Sequence, residues 1–265
     1  MKCQKINLLT YQGDYQRGIK LIKMEIQDIL KQIQQVEQVQ QDRISLKPTF
    51  DTLTVRKNLL TILNTLSLKN SRYSRSFVLD SETKIAIELI SQYANNEIEF
   101  EKTKNFSLNK GIWICGNFGS GKTQLLIAYK ELKKLMNVNV GFQTCADMNM
   151  KFLKKDEFNN SIARFDGIKT FMNKFDTVER IFDDLGEEET NIMDFGNKVC
   201  IMAHILSERY KGLNNGVKTH ITTNLSMEQI SNTYGGRIES RISEMFNVIT
   251  LGSKADSTDY RKVTK

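Results

Sequence analysis

Eight consecutive residues carry the most specific chemistry in this sequence. Gly116, Asn117, Phe118, Gly119, Ser120, Gly121, Lys122 and Thr123 satisfy the spacing G-x-x-x-x-G-K-[ST] at every fixed position. Glycines so spaced let backbone N–H groups curl around a phosphate, and a helix starting near Lys122 aims the positive end of its dipole at it. Lys122 then reaches the β and γ phosphates, Thr123 offers a hydroxyl to magnesium, and Gln124, one residue further on, completes the set placed against a nucleotide. A phosphate cradle does not hydrolyse ATP alone, because the metal needs a carboxylate and the attacking water needs orientation. Asp183 and Asp184 supply both groups, Asp183 as the metal carboxylate and Asp184 as the group that polarises the water. The same stretch, Asp-Asp-Leu-Gly-Glu-Glu-Glu, also reads as an ordinary solvated charge run.

Two further sets of residues fit this chemistry. Asn224 ends the run Val217–Thr223 and reaches a γ-phosphate or its water if that strand lies between those carrying the P-loop and Asp183; otherwise it is a turn residue. Arg237 and Arg241 stand one helical turn apart and can share a face. An arginine there stabilises transition-state charge, often across a subunit boundary, and a surface ion pair is the competing reading.

Short apolar runs alternating with helical stretches from Lys110 onward predict a parallel sheet flanked by helices. The expected strands are Gly111–Cys115, Val138–Phe142, Val178–Phe182, Val217–Thr223 and Asn247–Leu251. The expected helices are Lys122–Met136, Gly196–Tyr210 and Ser226–Asn232, the last opened by a capping box of Ser226 and Gln229. Upstream, helices are expected around Val55–Leu66 and from Asp80-Ser81 to Tyr93, with Ile85, Leu89 and Tyr93 on one face. Nearer the N-terminus, Ile19, Ile22, Ile26, Ile29, Ile33 and Val36 form a heptad seam, suited to packing within a module or to docking on a partner. Pro48, the single proline, ends that segment.

The chain has 265 residues, 38 Lys+Arg against 31 Asp+Glu for a net charge of +7, and 40% hydrophobic residues. Collagen-like and proline-rich disordered classes are excluded. Neither a membrane span nor a signal peptide is legible, so the expected compartment is cytoplasmic, with no membrane partner. Cys3, Cys115, Cys145 and Cys200 are too scattered for a zinc site or disulfide framework and read as reduced, mostly buried thiols.

In order, GNFGSGKT, IFDDLGEE, THITTNL and YGGRIESRISEMFNVITL resemble the Walker A, Walker B, sensor I and arginine-finger segments of the DnaC/IstB-like AAA+ ATPases, over roughly residues 80–261. The resemblance implies an α/β P-loop NTPase of AAA+ type, a five-stranded parallel sheet flanked by helices, with ATP/ADP and Mg2+. It implies that Lys122 and Thr123 are Walker A contacts, Asp183 the metal carboxylate, Asp184 the catalytic carboxylate, Asn224 sensor I, and Arg241 the arginine finger beside Arg237. Asp184 departs from the glutamate usual in AAA+ proteins, and its shorter reach is expected to slow hydrolysis. Residues 252–265 are too few for the helical lid of many AAA+ proteins, although Arg261 could fold back to the nucleotide; without a lid, a self-oligomer must complete the site.

The expected organisation is a helical partner-binding module over 1–70 and the ATPase domain over 71–265. The expected function is loading a replicative helicase onto single-stranded DNA. The alternative within the family is a transposition helper that binds DNA and recruits a transposase. A small-molecule P-loop kinase and a nucleotide-bound scaffold with negligible turnover are the remaining readings. Residues 150–175 interleave lysines with phenylalanines, a pattern suited either to single-strand contact or to a helix with a phenylalanine core face.

Overall fold

A computed structural model of the chain describes residues 27, 50–70, 76–158, 179–194 and 197–252. The chain divides into two compact units, Met1–Lys47 and Pro48–Lys265. The heptad seam, most of the lysine and phenylalanine segment, and residues 253–265 with Arg261 lie outside the described residues.

The second unit opens with α1 (Thr52–Asn70), started by the Asp51 carboxylate, which accepts from Thr54 N–H at 2.9 Å. Val55, Leu59 and Leu63, four apart, are buried and pack in one core with residues of the sheet. Farther along, Ser67 Oγ donates to Gln124 Oε1 at 3.2 Å. This helix is therefore part of the unit that carries the P-loop, and the units divide at Lys47/Pro48 rather than at residue 70. Next, α2 (Ser81–Ala94) has Asp80 as its N-cap in a reciprocal capping box with Thr83. Its buried face carries Ala86, Ile87, Ile90, Tyr93 and Ala94, so Ile85, expected on that face, is 61% exposed.

The remaining elements are β1 (Gly111–Gly116), α3 (Lys122–Leu135), β2 (Gly141–Thr144), α4 (Cys145–Phe158), β3 (Arg180–Leu185), β4 (Ile192–Asp194), β5 (Asn197–Val199), α5 (Ile201–Lys211), β6 (Thr219–Thr223), α6 (Met227–Tyr234), α7 (Gly236–Met245) and β7 (Phe246–Leu251). Five strands form a parallel sheet in the order β2-β3-β6-β1-β7, while β4 and β5 pair antiparallel as a separate hairpin. Ile112 and Ile114 of β1 face a core shared with α1, α2 and α3. Trp113, between them, faces a second core built with α4, α5, α6 and α7. Burial on both faces explains why β1 reads as a continuous apolar run.

Three expected elements are displaced. The strand expected at Val138–Phe142 starts at Gly141, because Asn137 (φ 60°) and Val138 are consumed in closing α3. Asn137 N–H donates to Lys134 O at 3.0 Å and Val138 N–H to Lys133 O at 2.9 Å, the Schellman pattern. The expected strand Val178–Phe182 is Arg180–Leu185, so both aspartates lie within it. The helix expected from Gly196 begins at Ile201, its first residues instead forming β5.

At the end of the sheet where the strands begin, His220 is fully buried between Tyr93 and Tyr129. Its Nδ1 accepts from Ile112 N–H at 3.1 Å, so the proton sits on Nε2, which donates to Glu179 at 2.8 Å. Tyr129 donates to the same carboxylate oxygen. Burial holds His220 below its ordinary value. Burial would raise Glu179, but hydrogen bonds from His220 and Tyr129, with the Lys218 charge, outweigh it and hold that carboxyl at about 2.

Candidate nucleotide-binding site

The P-loop leaves β1 where the strand can go no further. Gly116 has φ 134°, and a Cβ there would lie 1.7 Å from Leu251 O on the neighbouring strand, so glycine is required. Gly121 takes φ 92° immediately before α3, and a Cβ on it would press on the Phe77 ring at 3.0 Å. The loop is anchored by Asn117 Nδ2, which donates to Gly252 O at 2.7 Å beyond the end of β7. Phe118 stands at its tip, 60% exposed. Gln124, expected against the nucleotide, accepts from Ser67 of α1.

Lys122 is only 5% exposed, and its Nζ donates to Gly116 O at 2.9 Å, Asn117 O at 2.8 Å and Asn224 Oδ1 at 2.6 Å. The last bond exists because β6 lies between β1 and β3, the condition under which Asn224 was expected to reach the site. Ser120 Oγ is buried without a hydrogen-bond partner. A buried orphan donor beside a caged ammonium at a helix N-terminus fits a bound phosphate.

Asp183 is 3% exposed and comes from β3 toward the same helix start. Burial pushes its carboxyl above the ordinary value and the Asp184 charge adds to this, while hydrogen bonds from Thr222 and Thr123 and the Lys122 charge oppose it. The Thr123 hydroxyl thus lies near the Asp183 carboxylate. Two hard oxygen donors so placed fit Mg2+, which takes few protein ligands and keeps waters and phosphates for the rest.

Asp184 has φ 56°, in the left-handed region. Aspartate enters that region more readily than the longer glutamate, because its short side chain can bond locally. The backbone at this point thus gives a physical reason for the departure noted in the sequence.

The two arginines sit elsewhere. Arg237 is exposed, and the Arg241 guanidinium lies over the Tyr210 ring at 4.2 Å, with Tyr210 Oη donating to Glu244 at 2.7 Å. Both belong to α7, which runs straight into β7; Phe246, the first residue of β7, pairs with Gly111 at the start of β1. Arg241 therefore stands toward the edge of the sheet opposite its own P-loop.

Beyond Asp184, Gly186 N–H donates to the buried Glu188 at 2.8 Å, and Tyr234 Oη donates to the other Glu188 oxygen at 2.5 Å. This tie was not legible in sequence, since Glu188 sits in a run of three glutamates. Phe152 of α4 is buried in the second core and Lys151 donates to Gln143, so the described start of the lysine and phenylalanine segment is a packed helix face. Cys145 is buried, and Cys115 and Cys200 are half-buried; all three are free thiols.

A parallel sheet in this order, with a P-loop leaving β1, paired acids on β3 and a polar residue ending the strand between them, is an α/β arrangement suited to binding a nucleotide. No family model matches the chain, and no curated protein matches it. Among solved structures it is similar to DnaI, at 20% identity and a TM-score of 0.46, over 71% of this chain and 92% of that one. It is also similar to the DnaC helicase loader, at 20% identity and a TM-score of 0.47, over 66% and 93% of the two chains. A third is AMPPCP-bound DnaA from Aquifex aeolicus, at 17% identity and a TM-score of 0.47, over 68% and 50%. Among the described residues no helix is long and apolar enough to cross a membrane.

Proposed function

We propose that this chain is an ATP-hydrolysing AAA+ protein that acts in the cytoplasm, assembles with copies of itself, and loads a replicative helicase onto single-stranded DNA. The observation that carries the hydrolytic part is the convergence of Lys122, Thr123, Asp183 and Asn224 from three adjacent elements onto one edge of the sheet. The loader assignment rests on the order and content of the four sequence motifs.

In this reading Lys122 turns from Asn224 to the β and γ phosphate oxygens, while loop N–H groups and Ser120 hold the phosphates. Thr123 and Asp183 would hold Mg2+, which would supply positive charge against the phosphates. Asp184 orients the attacking water, Asn224 contacts the γ-phosphate or that water, and Arg241 of a neighbouring copy stabilises the transition-state charge. Residues 1–47 grip the partner, and ATP state sets the strength of that grip. A small-molecule kinase is poorly supported: no arginine lies between Asp183 and Arg209, and Arg209 is buried, bonding Thr219 Oγ1 and Lys218 O at 2.7 Å each.

The test is capture of partners from the source cells with the tagged full chain in ATP and in ADP, read by mass spectrometry. The truncation belongs at residue 47, because removing 1–70 would strip α1 from the core. Nucleotide-dependent recovery of a replicative helicase, lost with residues 1–47, is the expected result. Recovery of a transposase instead would establish the transposition-helper alternative and end the loader reading.

A further inference from the structure

We propose that Thr222 is a positioning residue that sets both acidic groups of this site through one hydroxyl. The proposal rests on the ATPase reading above and gives a role to a residue of the THITTNL segment other than Asn224.

The argument begins with register. Phe182 of β3 pairs with Ile221 of β6, and the next pair is Leu185 with Thr223. Three steps along β3 therefore match two along β6, so Asp183 and Asp184 together stand opposite the single residue Thr222. This is a β-bulge, in which one extra residue breaks the alternation of side chains and re-aims them. The φ of 56° at Asp184 is its backbone signature.

Thr222 is fully buried, and its hydroxyl makes two bonds into the bulge. Oγ1 donates to Asp183 Oδ1 at 2.5 Å and accepts from Asp184 N–H at 2.8 Å. A hydroxyl has one proton and two lone pairs, so the two roles are compatible and fix its orientation. The short bond to a carboxylate oxygen is of the charge-assisted kind. Thr222 thus restrains the metal carboxylate directly and closes the bulge that sets the backbone of the water-orienting residue. Moving the Asp183 carboxylate or the Asp184 backbone requires breaking a bond to the same oxygen. Valine would fill the same space on a strand but supply neither bond.

The experiment compares Thr222→Val, Thr222→Cys and Thr222→Ser in the full chain, with two readouts. One is affinity for a fluorescent ATP analogue in Mg2+ and in EDTA; the other is steady-state ATP hydrolysis. Thr222→Val is expected to bind the analogue normally in EDTA, to lose about 10–100-fold of the affinity gained from Mg2+, and to lower kcat by a similar factor, as removal of an outer-shell partner of a metal ligand does. Thr222→Ser keeps the hydroxyl and is expected to match the parent; Thr222→Cys, a weak donor, falls between. An unchanged Mg2+ gain in Thr222→Val, or a loss in Thr222→Ser equal to that in Thr222→Val, would overturn the proposal. If Thr222→Val does not fold, the ordering of Ser above Cys decides. A parent that binds Mg2+ and nucleotide but does not turn over sinks the ATPase reading alone, since the Mg2+-dependent binding comparison still judges Thr222.

Discussion

Replacing Glu179 by Gln should make the P-loop unit less stable at neutral pH and remove part of its sensitivity to acid. The carboxyl is held at about 2 against an ordinary 4.5, which corresponds to stabilisation on the order of 3 kcal/mol. Because the folded value is the lower one, that contribution is complete above 4.5 and disappears as pH falls through 2. The substituted amide retains an oxygen to accept from His220 and Tyr129 but carries no charge, so the penalty should be large at pH 7 and vanish near pH 2. His220, held below 6.5 by burial, makes both proteins lose stability beneath that pH, since the unfolded chain takes up its proton first; Glu179 raises His220, so this loss is greater in Glu179→Gln at intermediate pH, and the two proteins are compared at pH 7 and at pH 2. Urea unfolding followed by Trp113 is the assay, because this single tryptophan is buried in the sheet against Phe246 and reports on this unit alone. A fall in midpoint on the order of 1 M at pH 7 is expected. Equal midpoints at pH 7, or a difference that persists unchanged to pH 2, would refute the assignment of the charge as the source of stability.

Leu59→Ala on α1 should destabilise the same unit by about 2–5 kcal/mol, as loss of a fully buried leucine does; an unchanged Trp113 transition would place the helix outside this core. Arg241→Ala should abolish ATP hydrolysis while leaving nucleotide affinity nearly intact, measured by turnover and by analogue binding in parallel. Loss of both together would exclude an in-trans role.

What sequence made legible was whatever local rules dictate. The P-loop spacing, the Ser226–Gln229 capping box and the buried run of β1 depend on neighbours within a few residues, and the structure forms each in place. The register of β3 against β6 depends on residues some 40 apart, so neither the bulge nor the role of Thr222 could be read along the chain. A partial signal existed: a fully buried strand containing Thr219, His220, Thr222 and Thr223 must find a partner for every polar group. The strand expected at Val138 failed for a different reason. Apolar pattern cannot separate a strand residue from one that folds back to finish a helix. Likewise the expected strand Val178–Phe182 took in Glu179, whereas Glu179 serves the buried histidine from just outside β3.

The placement of Arg241 toward the edge where the strands begin, with the P-loop at the edge where they end, bears on symmetry. If Arg241 of one copy completes the site of the next, the two contacting surfaces come from opposite ends of the strands. A two-fold contact would need a single patch reaching from one end to the other. A contact that joins the two ends head to tail is heterologous: every copy offers one used and one unused face, and addition continues until a rotation closes a ring or a residual pitch leaves an open spiral. In an open spiral the first and last copies differ from the rest, one having a site without an arginine and the other an arginine without a site.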